Sequence, residues 1–201
     1  MTIKFTDAAK HFKDLPHQND AWNYLQKSVS KEIIDKFATI YRAQKSSGVL
    51  SSGIKLIKEF EGCHLKAYPD PGTGAAPITI GWGSTRRPDG STFRLGQIIT
   101  QQQADEYLMY DIENRFLPAL KKIPYWNEMN ENQQGALLSF SYNLGADFYG
   151  HPEFNTITRV LREKKWNEVP KALELYHNPG SRVEKGLLRR RIAEGSLWSK
   201  K

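Results

Sequence analysis

The 201-residue chain holds a single cysteine, Cys63, which excludes an internal disulfide and any metal site built on several cysteines. Its five histidines, His11, His17, His64, His151 and His177, show no HExxH or comparable ligand spacing, so no metal is expected. No apolar run reaches the roughly 18 residues of a membrane-spanning helix. The opening Met1-Thr2-Ile3-Lys4-Phe5-Thr6-Asp7 lacks the apolar centre of a signal peptide, so the expectation is synthesis in a cytoplasm with no leader. A substrate beyond the membrane would then need another protein to let this one out. Internal repeats are absent. Acidic residues are the scarcer charge, 22 against 29 basic, which leaves a formal net charge of +7 and a pI near 9.4. That excess favours a polyanionic partner, and nucleic acid, an anionic membrane surface and the acidic bacterial cell wall all qualify. With 39% hydrophobic residues, the chain can still bury one substantial core.

Two regions are expected. Residues 1–46 read as a small helical unit: Phe5, Ala8, Ala9 and Phe12 share a helical face, as do Trp22, Leu25 and Val29. Ile33, Ile34, Phe37, Ile40 and Tyr41 form a third stripe, with Ser30 as its N-cap. The serine-rich stretch around Ser46-Ser47-Gly48 leads into residues 47–201. This second region opens with a helix Gly53–Phe60, capped by Ser51 or Ser52 and stopped by a left-handed Gly62. Leu65–Tyr68 and Ile78–Trp82 are strand candidates, with Pro88-Asp89-Gly90 as a turn before Ser91–Leu95. Thr100 with Gln103, and Asn130 with Gln133, are capping boxes. Asn155, Asn167 and Ser181 are expected to start three further helices, Ile157–Trp166, a short one through Tyr176, and Gly186–Trp198. A helix, a small antiparallel sheet and then a helical bundle make an α+β fold.

One constellation carries chemistry. Glu61 ends an apolar helix, Asp70 follows in the turn Pro69-Asp70-Pro71-Gly72, and Thr79 opens a strand. Cleaving a glycosidic bond requires one protonated carboxyl and one ionised carboxyl. The negative end of a helix dipole and the apolar neighbour Phe60 favour the protonated form at Glu61. A wet turn favours the ionised form at Asp70, so Glu61 takes the acid role and Asp70 the base role. Thr79 adds a hydroxyl able to hold a water against Asp70. A Glu and an Asp at such positions are commonplace by themselves.

The surroundings decide it. Leu56-Ile57-Lys58-Glu59-Phe60-Glu61-Gly62-Cys63-His64-Leu65-Lys66-Ala67-Tyr68-Pro69-Asp70, followed by Thr79-Ile80-Gly81-Trp82-Gly83, resembles the phage-type lysozyme (endolysin) family of muramidases. Gly96-Gln97-Ile98-Ile99-Thr100, Ala136–Gly145 and Gly186–Glu194 continue the resemblance in order, over about residues 50–198. It implies a lysozyme-like fold and a catalytic group of Glu61, Asp70 and Thr79. It also implies a supporting role for Asn143, and pairing of the catalytic Glu with one arginine of Arg189-Arg190-Arg191, which would otherwise be a solvated helix face. Trp82 beside the site would stack on a sugar or join the core. Cys63 is expected as a small buried hydrophobe and His64 as a surface residue. Two departures stand out: the Asp70–Thr79 interval is longer than is common in the family, which makes Thr73 a rival hydroxyl, and Ser84 replaces the usual His after Gly-x-Gly, a change that would alter how the sheet binds substrate.

The implied activity is hydrolysis of the β-1,4 bond between N-acetylmuramic acid and N-acetylglucosamine in bacterial peptidoglycan, with inversion and without a cofactor. The expected protein is a monomer with no nucleic-acid partner. Residues 1–46 would make transient contact with cell wall or membrane, and a separate membrane-permeabilising protein would release the enzyme. A lytic transglycosylase using Glu61 alone and a non-catalytic wall-binding protein are the alternatives.

Overall fold

The computed structural model describes residues 50–69 and 74–200 together with Ser30, nearly all of them in the unit Gly48–Lys201. The helices assigned to residues 1–46, and Asp70 and Thr73, lie outside the described residues.

Helix α1, Ser51–Glu61, buries Gly53 and Ile57 and turns directly into strand β1, His64–Pro69. Its N-cap is Leu50, with no side-chain hydrogen bond, and both Ser51 and Ser52 lie inside the helix. Leu50 is buried, and its carbonyl accepts the first helical bond from Ile54 at 2.9 Å, so apolar anchoring takes the place of the expected serine cap. Gly62 ends α1 at φ +69, ψ 158. This is not the left-handed helical cap but an extended conformation open essentially to glycine alone, and it points the chain from helix into strand.

Strand β1 pairs antiparallel with β2, Ile78–Gly81, in a two-stranded sheet: His64 stands opposite Gly81, Tyr68 opposite Thr79 and Pro69 opposite Ile78. An irregularity between His64 and Tyr68 breaks the register. Strand β2 stops at Gly81, one residue short of Trp82, because Gly81 and Gly83 take φ of +66 and +107. Ser91–Leu95 forms no strand; only an isolated bridge joins Arg86 to Thr92. Ala67, Ile80, Phe93, Ile99 and Ala104 make a small core beneath this lobe.

The remainder is helical. Thr100 and Gln103 close the expected capping box at the start of α2, Gln101–Asp111. A π-helical turn, Ile112–Phe116, and the short α3, Leu117–Leu120, continue the same rod. The second box, Asn130 with Gln133, opens α4, Glu131–Leu144. Helix α4 is the centre of the bundle, since every residue from Gly135 to Ser141 is buried. Each fully buried Leu or Phe there contributes about 1.5–3 kcal/mol. Phe140 is its hub, meeting Phe148, Phe154 and Tyr176 edge to face at 5.0, 6.1 and 5.5 Å between centroids.

Three expected caps are corrected. Asn155 is the first residue of α5, Asn155–Arg162, because a 3-10 turn at Pro152–Phe154 precedes it and His151 Nδ1 accepts the Glu153 N–H. That helix also stops short of Trp166, where Lys164 takes φ +56. Asn167 lies within the 3-10 turn Trp166–Glu168 that leads into α6, Val169–Glu174. Helix α7, Glu184–Trp198, starts after Val183, and Ser181 contributes only its carbonyl, which accepts from Glu184 N at 3.2 Å.

Candidate active site

Helix α1 delivers Glu61 to its C-terminal end, and α7 meets it from the far end of the chain. Arg190 Nη1 donates to Glu61 Oε1 at 2.6 Å. The Arg190 side chain is 4% exposed and that of Glu61 24%, so the carboxylate keeps an open side while its partner is buried. A Cβ placed on Gly83 would stand 3.9 Å from Glu61 Oε2 and 3.7 Å from the Tyr142 hydroxyl. The backbone after β2 therefore passes close to the carboxyl and leaves the intervening space free of side chain.

Behind this pair lies a buried polar cluster. Glu194 receives Arg190 Nε at 3.2 Å and the Ser139 hydroxyl at 2.7 Å on one oxygen, and Arg191 Nη1 at 2.7 Å on the other. Arg190 also donates to the Ser139 carbonyl at 3.1 Å, and Arg191 to Asn143 Oδ1. Arg190, Arg191 and Glu194 are all buried, so only Arg189 of the arginine run lies on a solvated helix face, and Arg190 is the member that meets Glu61. Burial has reversed the usual environment of arginine because a carboxylate one turn away on α7 and two acceptors on α4, the Ser139 carbonyl and Asn143 Oδ1, receive its hydrogen bonds. Burial lowers the Arg191 guanidinium to about 10, against the attraction of Glu194, and it stays a cation at neutral pH. For Glu194 burial works upward, opposed by the two guanidiniums and by Ser139. Arg189 is exposed, its guanidinium 5.2 Å from the Phe60 ring centroid.

On the sheet side, Trp82 is fixed at both ends. Its indole donates to Asp105 Oδ1 at 2.7 Å, and its carbonyl accepts the Tyr142 hydroxyl at 2.9 Å. Lys58, one turn before Glu61 on α1, donates to the same Asp105 oxygen at 2.7 Å and lies 5.0 Å over the Trp82 ring. Trp82 packs against both cores, so it joins the two lobes. Burial pushes the Tyr142 phenol far above its ordinary range, and the charges of Asp111 and Glu61 add to this, so Tyr142 is always a donor.

Thr79 lies in the ladder opposite Tyr68, 8% exposed, with its hydroxyl at a long 3.5 Å from the Pro77 carbonyl. Ser84 is 2% exposed and donates to Asp111 Oδ2 at 2.9 Å, so it faces the interior and is not a sheet contact for substrate. Burial raises the Asp111 carboxyl, partly offset by the Ser84 bond and Arg115. Cys63 is half-buried, and desolvation raises its thiol. His64 is exposed, its ring 4.7 Å from that of Tyr68. Among the described residues no group of histidine, cysteine and carboxylate side chains could hold a metal. No described helix is long and apolar enough to cross a membrane.

Tyr142, Ser139, Glu194, Asp105 and Asp111 were missed in the sequence. A signal existed for some: Ser139, Tyr142 and Asn143 occupy i, i+3 and i+4 on α4, and Glu194 follows Arg190 and Arg191 at four and three residues.

A helix ending in a carboxylate, a small sheet packed beside it, and a bundle whose last helix returns an arginine to that carboxylate define a lysozyme-like α+β protein. Residues 58–194 match the family model described as phage lysozyme. The endolysin of Lactococcus phage c2 is 37% identical over 154 residues, which cover 76% of this chain and 60% of the phage protein. The endolysin of Salmonella phage P22 is 32% identical over 145 residues, 71% of this chain and 92% of its own length. Among solved structures, a P22 lysozyme variant aligns with a TM-score of 0.60 and 30% identity over 75% of this chain and 97% of its own. The muramidase domain of SpmX from Asticaccaulis excentricus gives 0.56 and 28% over 76% and 98%. This chain belongs to the phage lysozyme family. It spans only 60% of the c2 endolysin and 55% of the Bacillus phage PZA endolysin.

Proposed function

We propose that the protein is an endolysin: a lysozyme-type glycoside hydrolase that cleaves the β-1,4 bond between N-acetylmuramic acid and N-acetylglucosamine of bacterial peptidoglycan, with inversion. The observation that carries this is the state of Glu61, a carboxyl at a helix end with one oxygen on a buried arginine and the other beside the open ground at Gly83. Such a group can hold a proton toward a leaving oxygen while its position is fixed from behind. Asp70 is the base. It follows Pro69 directly in sequence, and Pro69 stands opposite Ile78, the neighbour of Thr79. Thr79 then directs the water to the face opposite Glu61. Thr79 is preferred to Thr73 because it keeps the Thr-Ile-Gly context, and the ladder holds it opposite Tyr68. A basic chain of net charge +7 suits the polyanionic wall.

Residues 47–201 form the catalytic domain in this reading, and residues 1–46 contact the wall or the membrane. The enzyme is made in the host cytoplasm and released to its substrate. Reducing ends freed from purified peptidoglycan test the assignment. Glu61→Gln and Asp70→Asn should each lower turnover by about 10³-fold or more, and Thr79→Ser should exceed Thr79→Ala. Proton NMR of the first product anomer tests inversion. An anhydro product, lighter by one water, would instead make the protein a lytic transglycosylase. A chain lacking residues 1–46 should keep turnover on soluble fragments and lose wall binding.

A further inference from the structure

We infer that Glu194, buried and out of reach of any substrate, is a positioning residue for the reaction: it balances the two buried guanidiniums of α7 so that Arg190 presents a single shared charge to Glu61. The inference rests on Glu61 being the proton donor proposed above.

The geometry is specific. The side chains of Arg191 and Glu194 are 0% exposed and that of Arg190 4%. Two cations in such a place must be matched by two anions, or one of them remains uncompensated. Glu194 supplies one anion, and Glu61 supplies the other only in its ionised form. Arg190 is shared between them, with Nη1 on Glu61 at 2.6 Å and Nε on Glu194 at 3.2 Å. Arg191 binds Glu194 at 2.7 Å and reaches Asn143 with its other nitrogen. Ser139 donates its hydroxyl to Glu194. Both oxygens of Glu194 thus accept hydrogen bonds from cationic or hydroxyl donors, the pattern of a carboxylate. The other ionisable groups facing the cluster come from the packed helices: Tyr142 on α4, which stays protonated, and beyond it Asp111 of α2 and Arg115 of the π turn. None of them replaces the charge of Glu194 beside the arginines.

The consequence concerns the proton on Glu61. With Glu194 neutralised, the cluster gains one net positive charge, and the ionised form of Glu61 becomes the favoured counterion for both arginines. An acid that holds its proton less firmly is active only at lower pH. Glu194 therefore sets the alkaline limit of the pH-activity profile without touching the substrate.

The test uses the full chain and turbidity loss of purified peptidoglycan between pH 4 and 9. Glu194→Gln should move the alkaline limb of kcat/KM to lower pH by about one unit, a tenfold loss on that limb, with the acidic limb in place. Adding Arg191→Met restores the charge balance and should return the limb toward its original position. Should Glu194→Gln fail to fold in thermal melts, Ser139→Ala removes one bond to Glu194 and should shift the limb in the same direction by less. A Glu194→Gln limb at the wild-type pH, or an unmoved Ser139→Ala limb where Glu194→Gln does not fold, overturns the inference: Glu194 would then be a purely structural partner. Retention of lysis in Glu61→Gln would sink the proton-donor assignment itself, and that outcome is separable because it does not involve Glu194.

Discussion

Gly53 and Gly135 bring two helices together backbone to backbone: a Cβ on Gly53 would lie 2.5 Å from the Gly135 carbonyl oxygen and 2.6 Å from its Cα. This contact sets α1, which carries Glu61, against the central helix α4. Helix propensity alone favours Gly53→Ala by about 1 kcal/mol. Overpacking of rigid backbone opposes it with about 1–3 kcal/mol or more. Gly53→Ala and Gly135→Ala should therefore both lower the urea midpoint, and a raised midpoint in either would show that the helices can separate without loss.

Arg190 has no conservative substitute. Arg190→Met should cost about 3 kcal/mol by stranding buried charge. Arg190→Lys should recover only part of this, because an ammonium group cannot reach Glu61, Glu194 and the Ser139 carbonyl together. Denaturant unfolding of the three proteins gives the order wild type, Lys, Met.

Asp111 should impose a pH dependence of unusual sign. Its folded-state carboxyl is raised by burial, so its contribution to stability is present when it is protonated at low pH and is lost as pH rises through its folded-state titration. Asp111→Asn removes that loss. The stability of the variant relative to wild type should rise between pH 4 and pH 7. A difference that stays flat, or falls, would place an ionised Asp111 in the native state across the whole range.

Asp105 links α2, α1 and the loop after β2 through one oxygen. The Lys58 pair is about a third exposed on each side and is worth less than about 1 kcal/mol. The Trp82 bond matters more, because its loss leaves an indole N–H without a partner. Asp105→Ala should thus cost about 1–3 kcal/mol. Asp105→Asn keeps an acceptor and should lie much nearer wild type in a thermal melt.

Local signals read well from the chain. Both capping boxes and the central helix rest on contacts within a few residues, which a sequence displays directly, and the β1 and β2 segments show in their residue types and the turn signals that bound them. The caps at Asn155, Asn167 and Ser181 failed for local reasons: the Tyr176 hydroxyl accepts the Ile157 N–H that Asn155 would have served, Asn167 lies inside a 3-10 turn, and α7 begins beyond Ser181, after Val183. The resemblance aimed one arginine of the run at Glu61, but which one, and the burial of a second, were illegible for a different reason. Whether Arg190 and Arg191 are solvated or buried depends on Ser139 and Asn143, 51 and 48 residues away. Ser84 misled in the same way: standing where the family commonly has His, it reads as a change in how the sheet binds substrate until Asp111, 27 residues on, takes its hydroxyl inward.

The reach between Glu61 and Arg190 spans 129 residues of chain. During translation α1 leaves the ribosome long before α7 exists, and through that interval Glu61 has no counterion from the closing helix. The carboxyl gains its fixed orientation only when the last helix docks on α4. A chain lacking α7 would lack both Arg190 and Glu194, and with them the hydrogen bond that fixes the Glu61 carboxyl from behind.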